Sequence, residues 1–233
     1  MALDWHADVD RWWADVLRVP VAAVRAGGVF APGHVDHVGV VAVHGAPAPV
    51  VYGPASLLPE LEGAVRASRG DVVEGTHLAA ALGSRASRVL GPAWYGYVTA
   101  ETLGPPPGQG VRALRETELS LLADLHQRTP PAELEESGTT GLPAYGYLHD
   151  GELHAVACLG MWHGMPTIGV LTDPRARGRG LAGLVVTAAA REGLNRRAVV
   201  QYRARRRNPA SIAVAVRCGF IYYCDGLVID LAP

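Results

Sequence analysis

The stretch Arg175-Ala-Arg-Gly-Arg-Gly-Leu-Ala-Gly183 constrains this chain more than any other. It follows "TIGVLT", a run that reads as a strand, and leads into "LVVTAAAREGL", which reads as a helix to about Leu194. When a strand turns through glycines into a helix, the first helical N–H groups have no intrahelical acceptor. The helix dipole places partial positive charge at the same point. Gly178 and Gly180 have no Cβ, so a ligand can approach their backbone. Arg175, Arg177 and Arg179 add formal charge, and a guanidinium can grip phosphate oxygens in pairs. The unit reads as an anion site. It is not a P-loop, because there is no GxxxxGK[ST] and no lysine. Gly178-x-Gly180-x-x-Gly183 spells a dinucleotide fingerprint only by letter. It lies late in the chain, and no acidic residue ends the next strand.

Charge supports a local anion. The formal net charge is −1, and all 21 basic residues are arginine. Eleven of them fall between Arg175 and Arg217, where the only carboxylate is Glu192. The lack of lysine excludes a lysine nucleophile or Schiff base. A nucleic-acid binder using the arginines of 196–207 is disfavoured by the overall charge and by the lack of an RNP, KH or C₂H₂ signature. Cys158, Cys218 and Cys224 form no CxxC pair and read as free thiols of a reducing compartment. His34 and His37 have no partner at ligand spacing, so no metal site is expected. At 49% hydrophobic residues, with no run of membrane-span length and an acidic, aromatic start, the chain reads as cytoplasmic with no membrane partner.

"LGPPPGQG" (103–110) interrupts any helix or strand. It suggests an N-terminal α/β domain over 1–103, a linker over 104–110 and a second domain over 111–233. The first part reads as a helix from Asp4 to Leu17, a strand over His37–Val43, a short strand near Val50, helices near 55–67 and 72–82, and a strand over 95–99. Trp5, Trp12, Trp13 and Leu17 lie at near-helical spacing, which marks a packed face. The second part reads as a strand from Val111, a helix carrying Leu119, Leu122 and Leu125, and a hairpin turning at Asp150-Gly151. The anion unit follows, then the strand "AVVQYRAR". A helix capped by Asn208, with Pro209 first and Gly219 at its stop, comes next. Two strands around Asp225-Gly226 close a mixed α/β order.

At this point "VLTDPRARGRGLA" resembles the acyl-CoA motif of the GCN5-related N-acetyltransferases (GNAT). That pattern is a strand, a proline, then [Arg/Gln]-x-x-Gly-x-[Gly/Ala] opening a helix, matched here to Arg175, Gly178 and Gly180. "NPASIAVAVRCGF" looks like the family's second motif, an Asn-led helix ending in Gly-Phe. The resemblance covers the C-terminal half. It implies a GNAT-like mixed sheet with flanking helices, with the smaller first domain fitting a degenerate half of the same fold by element order. It implies acetyl-CoA or another acyl-CoA as co-substrate, and a small-molecule or peptide amine as acceptor. A homodimer is compatible with it. Backbone groups of Val170, Leu171 and Thr172 would pair with the pantetheine arm. Those from Arg177 through Gly178, Arg179, Gly180 and Leu181 to Ala182 would hold the diphosphate. Asn208 and Ser211 would meet the far side of the cofactor, and the arginines of 203–207 could face the 3′-phosphate.

Acyl transfer needs a neutral amine and a proton for the leaving thiolate. The family often places a tyrosine for the second task on the second motif's helix; here that position is Ala215. Tyr222 or Tyr223 could substitute, but alternation lets at most one face a cleft. Glu136 and His163 rank first as base, with Glu135 also on the loop after the helices. Trp162 reads either as a wall of the acceptor pocket or as hairpin packing. The expectation is an N-acyltransferase acting by direct attack in a ternary complex. The second reading is a non-catalytic acyl-CoA sensor or scaffold, motivated by Ala215.

Overall fold

The computed structural model describes residues 4–33, 35–68, 70–106 and 110–232. His34 and residues 107–109 of the expected linker lie outside them. The chain divides into two compact units, residues 1–95 with 223–233, and residues 96–222. Each carries sheet and helices in a mixed α/β arrangement.

The first unit opens with α1 (Trp5–Leu17), whose first turn is capped by the Asp4 carboxylate, and α2 (Val21–Ala26). The tryptophan spacing produces the expected face: Trp12, Trp13 and Leu17 are buried, and Trp13 meets Tyr95 edge-on at 5.5 Å. β1 (Gly28–Phe30), β2 (His37–Val43), β3 (Val50–Tyr52), α3 (Leu58–Ala67), α4 (Thr76–Leu82) and β4 (Ala86–Val98) follow. α2 and β1 were not expected, and β4 begins nine residues before the expected strand.

The C-terminal segment differs from the sequence reading. One strand, β10 (Ile221–Leu231), replaces the two strands and the Asp-Gly turn. It pairs antiparallel with β2 from Cys224↔Val43 to Asp230↔His37, which places it in the first unit. Gly226 sits in mid-strand opposite Val41, and a Cβ there would come within 2.7 Å of the Tyr95 ring. The glycine makes room for an aromatic ring instead of turning the chain. Long-range packing overrides the local turn signal. The domain division therefore falls at 95/96 and 222/223, not at the Pro/Gly stretch. The described part of that stretch is fastened, since Gly104 N donates to Cys218 O and Arg191 donates to Gly104 O at 2.7 Å.

The second unit follows its expected order. β5 (Val111–Ala113), α5 (Leu119–Gln127) and α6 (Pro131–Ser137) precede β6 (Ala144–His149) and β7 (Glu152–Trp162). Asp150 and Gly151 both take positive φ, as an Asp-Gly hairpin turn requires. β8 (Met165–Thr172), α7 (Leu181–Arg196), β9 (Val200–Arg205) and α8 (Pro209–Arg217) complete it. The strands lie in the order β9-β8-β7-β6-β5. Alternation along β7 sends Val156 and Cys158 toward α5, where Leu122, Leu125 and Leu171 complete a core. Leu159 goes to the other face, against α7, where Gly193 lets the helix approach Val200 and Leu159. Among the described residues no helix is long and apolar enough to cross a membrane.

Candidate functional site

In the second unit β8 and β9 pair parallel, but their ladder holds only Thr167↔Gln201 and Ile168↔Tyr202. β8 continues to pair with β7 as far as Thr172↔Ala155. From Gly169 to Thr172 the other edge of β8 therefore has no ladder to β9. Val170, Leu171 and Thr172, the residues expected along a pantetheine arm, lie in this parted stretch.

Beyond β8 the chain turns on Asp173. Its side chain is fully buried and accepts from Arg175 N at 2.9 Å, Arg175 Nε at 3.1 Å, Arg175 Nη2 at 2.9 Å and Arg128 Nε at 2.9 Å. Hydrogen bonds from Arg175, then from the backbone and Arg128, hold the Asp173 carboxyl well below its ordinary range against the opposing effect of burial. Arg175 also reaches Glu152 at 2.8 Å. The expected phosphate-gripping Arg175 is therefore a brace, with its guanidinium committed to two carboxylates. Glu152, His154 and Asp173 do bring donor atoms within 4.8 Å of one another. Their carboxylates are the ones these arginines hold.

Past this brace the loop is open. Gly178 and Gly180 take φ +76°, and a Cβ at either would meet nothing within 4 Å. Gly180 is the N-cap of the 16-residue α7, and no side chain caps that end. Among the described residues no backbone acceptor takes the N–H groups of Arg177 through Ala182. Arg177 pairs with Glu133 on α6. Arg179 is exposed and has no hydrogen-bond or ion-pair partner among the described residues.

α6 lies against the parted stretch. A Cβ on Gly169 would come within 2.2 Å of Gly138 O and 2.6 Å of Ser137 O, so backbone meets backbone there. Glu136, one candidate base, accepts from Arg207 and from Arg205 Nε at 3.2 Å. His163, the other, is exposed on the β7–β8 turn, edge-on to Trp162 at 4.8 Å. The turn and the first residues of β8 put it roughly 15 Å from Gly169 at about 3.3 Å per strand residue. The structure does not bring His163 and Glu136 together, and Trp162 stands with His163. A groove of about 610 Å³ runs between α5, α6 and residues 138–141, with Leu119, Leu122 and Leu134 in its walls. His126 faces it, with Nε2 3.1 Å from Thr139 Oγ1, which is 2.7 Å from Ser137 Oγ. Burial lowers the imidazole's pKa.

α8 begins differently from α7. Asn208 accepts from Ser211 N at 3.0 Å, and Ser211 Oγ meets the Tyr202 hydroxyl at 2.9 Å. Tyr202 is buried and its phenol is pushed up to about 12 by that burial. Ala215 is fully buried. Tyr222 has the Arg206 guanidinium 4.9 Å from its ring centre. Tyr223 belongs to the first unit, where it donates to Asp10 and carries Arg25 over its ring.

The model of the acetyltransferase (GNAT) family fits residues 111–220. Those residues are a GNAT acetyltransferase domain. Members of the family use acetyl-CoA. A GNAT acetyltransferase structure from Colwellia psychrerythraea has TM-score 0.51 at 14% identity, over 84% of this chain and 81% of that one. One from Novosphingobium aromaticivorans has TM-score 0.50 at 23% identity, over 64% and 68%. At such identities the likeness is one of fold. No curated protein matches the chain.

Within the GNAT domain the motif fits in two registers. Arg175/Gly178/Gly180 is one, and Arg177/Gly180/Ala182 is the other. The pattern is meant to open a helix. Both put a glycine, Gly180, at the observed N-cap, and only the second leaves Arg175 to the brace. Sequence reasoning also missed Asp173, Arg128, Glu133 and Tyr202. A buried aspartate just before the proline was the one local signal available.

Proposed function

We propose that the protein is an N-acyltransferase that moves an acetyl or other acyl group from acyl-CoA to an amine of a small molecule or peptide. The observation that carries this reading is the parting of β8 from β9 beneath the uncapped start of α7. The N–H groups of Arg177 to Ala182 would hold the diphosphate, with Arg177 and Arg179 adding charge. The backbone of Val170 to Thr172 would pair with pantetheine amides. The acceptor amine would attack the thioester carbonyl directly, in a ternary complex, with positioning as the main source of rate. Its proton would go to Glu136, whose helix end lies against Gly169. The thiolate would take a proton from solvent or from Tyr222.

The test is release of free thiol from acetyl-CoA over a panel of amines. At least one amine should raise release clearly above hydrolysis. For that amine, Glu136→Gln should lower kcat about 100-fold, as loss of a general base does, and His163→Ala should leave it unchanged across pH 6–9. If both variants keep full kcat, the assignment of the base is wrong. A second reading, a non-catalytic acyl-CoA sensor, is favoured by one observation. The buried Ala215 offers no hydroxyl where the family often has a tyrosine. Tight CoA binding without thiol release for any amine would select it.

A further inference from the structure

The short helix α6 reads Pro-Ala-Glu-Leu-Glu-Glu-Ser, three carboxylates in seven residues. Two of them reach arginines outside the helix. Glu133 takes Arg177, in the loop before α7. Glu136 takes Arg207, and Arg205 at 3.2 Å, at the end of β9. These contacts are 44 and about 70 residues apart in sequence, so neither is a by-product of local helix geometry. Together they tie one acidic segment to the ends of both parted strands, on the face where Gly138 rests on Gly169.

On the acyl-CoA reading, the three arginines are also ones that could meet its phosphates. Arg177 stands beside the unsatisfied N–H groups suited to a diphosphate. Arg205 and Arg207 lie in the cluster assigned above to the 3′-phosphate. A carboxylate and a phosphate dianion cannot share one guanidinium without strong like-charge repulsion. Phosphate also accepts more strongly and in bidentate geometry.

We propose that Glu133 and Glu136 are affinity-setting residues that occupy the phosphate-binding arginines while the cofactor is absent, and that acyl-CoA displaces them and loosens α6, leaving Glu136 unpaired beside Gly169 for the base role given above. This rests on the acyl-CoA reading above. The carboxylates keep the arginines extended and paired, so the empty site does not hold a dense unpaired positive charge. The price is a weaker apparent affinity, because each phosphate must first displace a carboxylate. Leu134 and Glu135 of α6 line the groove, so release would reshape that groove only after the cofactor has bound. Cofactor first, acceptor second, is the binding order that follows.

Calorimetry with coenzyme A and with 3′-dephospho-coenzyme A tests this on the full chain. Glu133→Gln should tighten both ligands about two- to tenfold. Glu136→Gln should tighten coenzyme A by a similar factor and 3′-dephospho-coenzyme A distinctly less. Unchanged or weakened binding in both variants overturns the proposal. So does an equal effect of Glu136→Gln on the two ligands. A second measurement needs no variant: amide exchange of residues 132–137 should speed up when coenzyme A saturates the wild-type protein, and slower or unchanged exchange refutes release. If the wild type binds neither ligand, the acyl-CoA reading itself fails. If it binds both but the variants do not differ from it, only the role of α6 fails.

Discussion

Helices α7 and α8 follow the paired parallel strands β8 and β9, and they begin in opposite ways. α8 closes its own start, with Asn208 accepting from Ser211 N and Pro209 filling the first helical position. α7 starts at a bare glycine with its first N–H groups unclaimed. Both ends carry the same kind of dipole. One is satisfied by the chain; the other has no cap among the described residues. The open end is affordable because its anchoring lies upstream, in the buried Asp173 gripped by Arg128 and Arg175.

The sharpest way to break this contrast is to remove that anchor. Asp173→Ala should cost about 3 kcal/mol, the low end for breaking a buried ion pair, since both guanidinium groups keep some solvent. Denaturant unfolding measures it. The same carboxyl predicts a pH dependence. Its pKa is lowered on folding, so the unfolded chain takes up the proton first. Its contribution is complete above the ordinary value near 3.8 and is lost as pH falls through the lower folded value. The variant should show a flatter acid limb, and an unchanged limb would assign acid sensitivity elsewhere.

The next effect concerns the open end alone. Gly180→Ala meets no protein atom, so its cost to folding should be about 1 kcal/mol, from the left-handed backbone. Its cost to coenzyme A binding should be at least about tenfold, because the methyl group stands where a phosphate must approach. A stability loss with unchanged affinity would mean that the open end of α7 is not a ligand site.

The smallest effect belongs to the closed end. Asn208→Ala should lower stability by about 1 kcal/mol, as loss of a cap does, with coenzyme A affinity held within about twofold. A tenfold affinity loss would show that Asn208 serves the cofactor as well as its own helix.

What could be read from the sequence follows the range of each signal. The α8 cap, the Asp150-Gly151 turn and the glycine-opened α7 depend on residues within a turn or two, and all were legible. Asp225-Gly226 gave the same local signal as Asp150-Gly151 and was misread, because its glycine answers to the ring of Tyr95. Arg175 was read for its charge and not for its partners. Glu152 lies 23 residues upstream, and nothing local marks it as the acceptor. The register of the motif was ambiguous for the same reason: three arginines and two glycines repeat every second residue. Only the pairing of Arg175 with Asp173 and Glu152 separates the two readings.

The last strand carries a consequence for synthesis. β10 supplies the sheet partner of β2 across seven consecutive residue pairs. Domains commonly fold from the amino terminus as they leave the ribosome. Here the amino-terminal unit cannot complete its sheet until residues 223–231 have been made, directly after the residues of the acetyltransferase domain. The edge of β2 that β10 covers therefore stays unpaired while residues 96–222 are made.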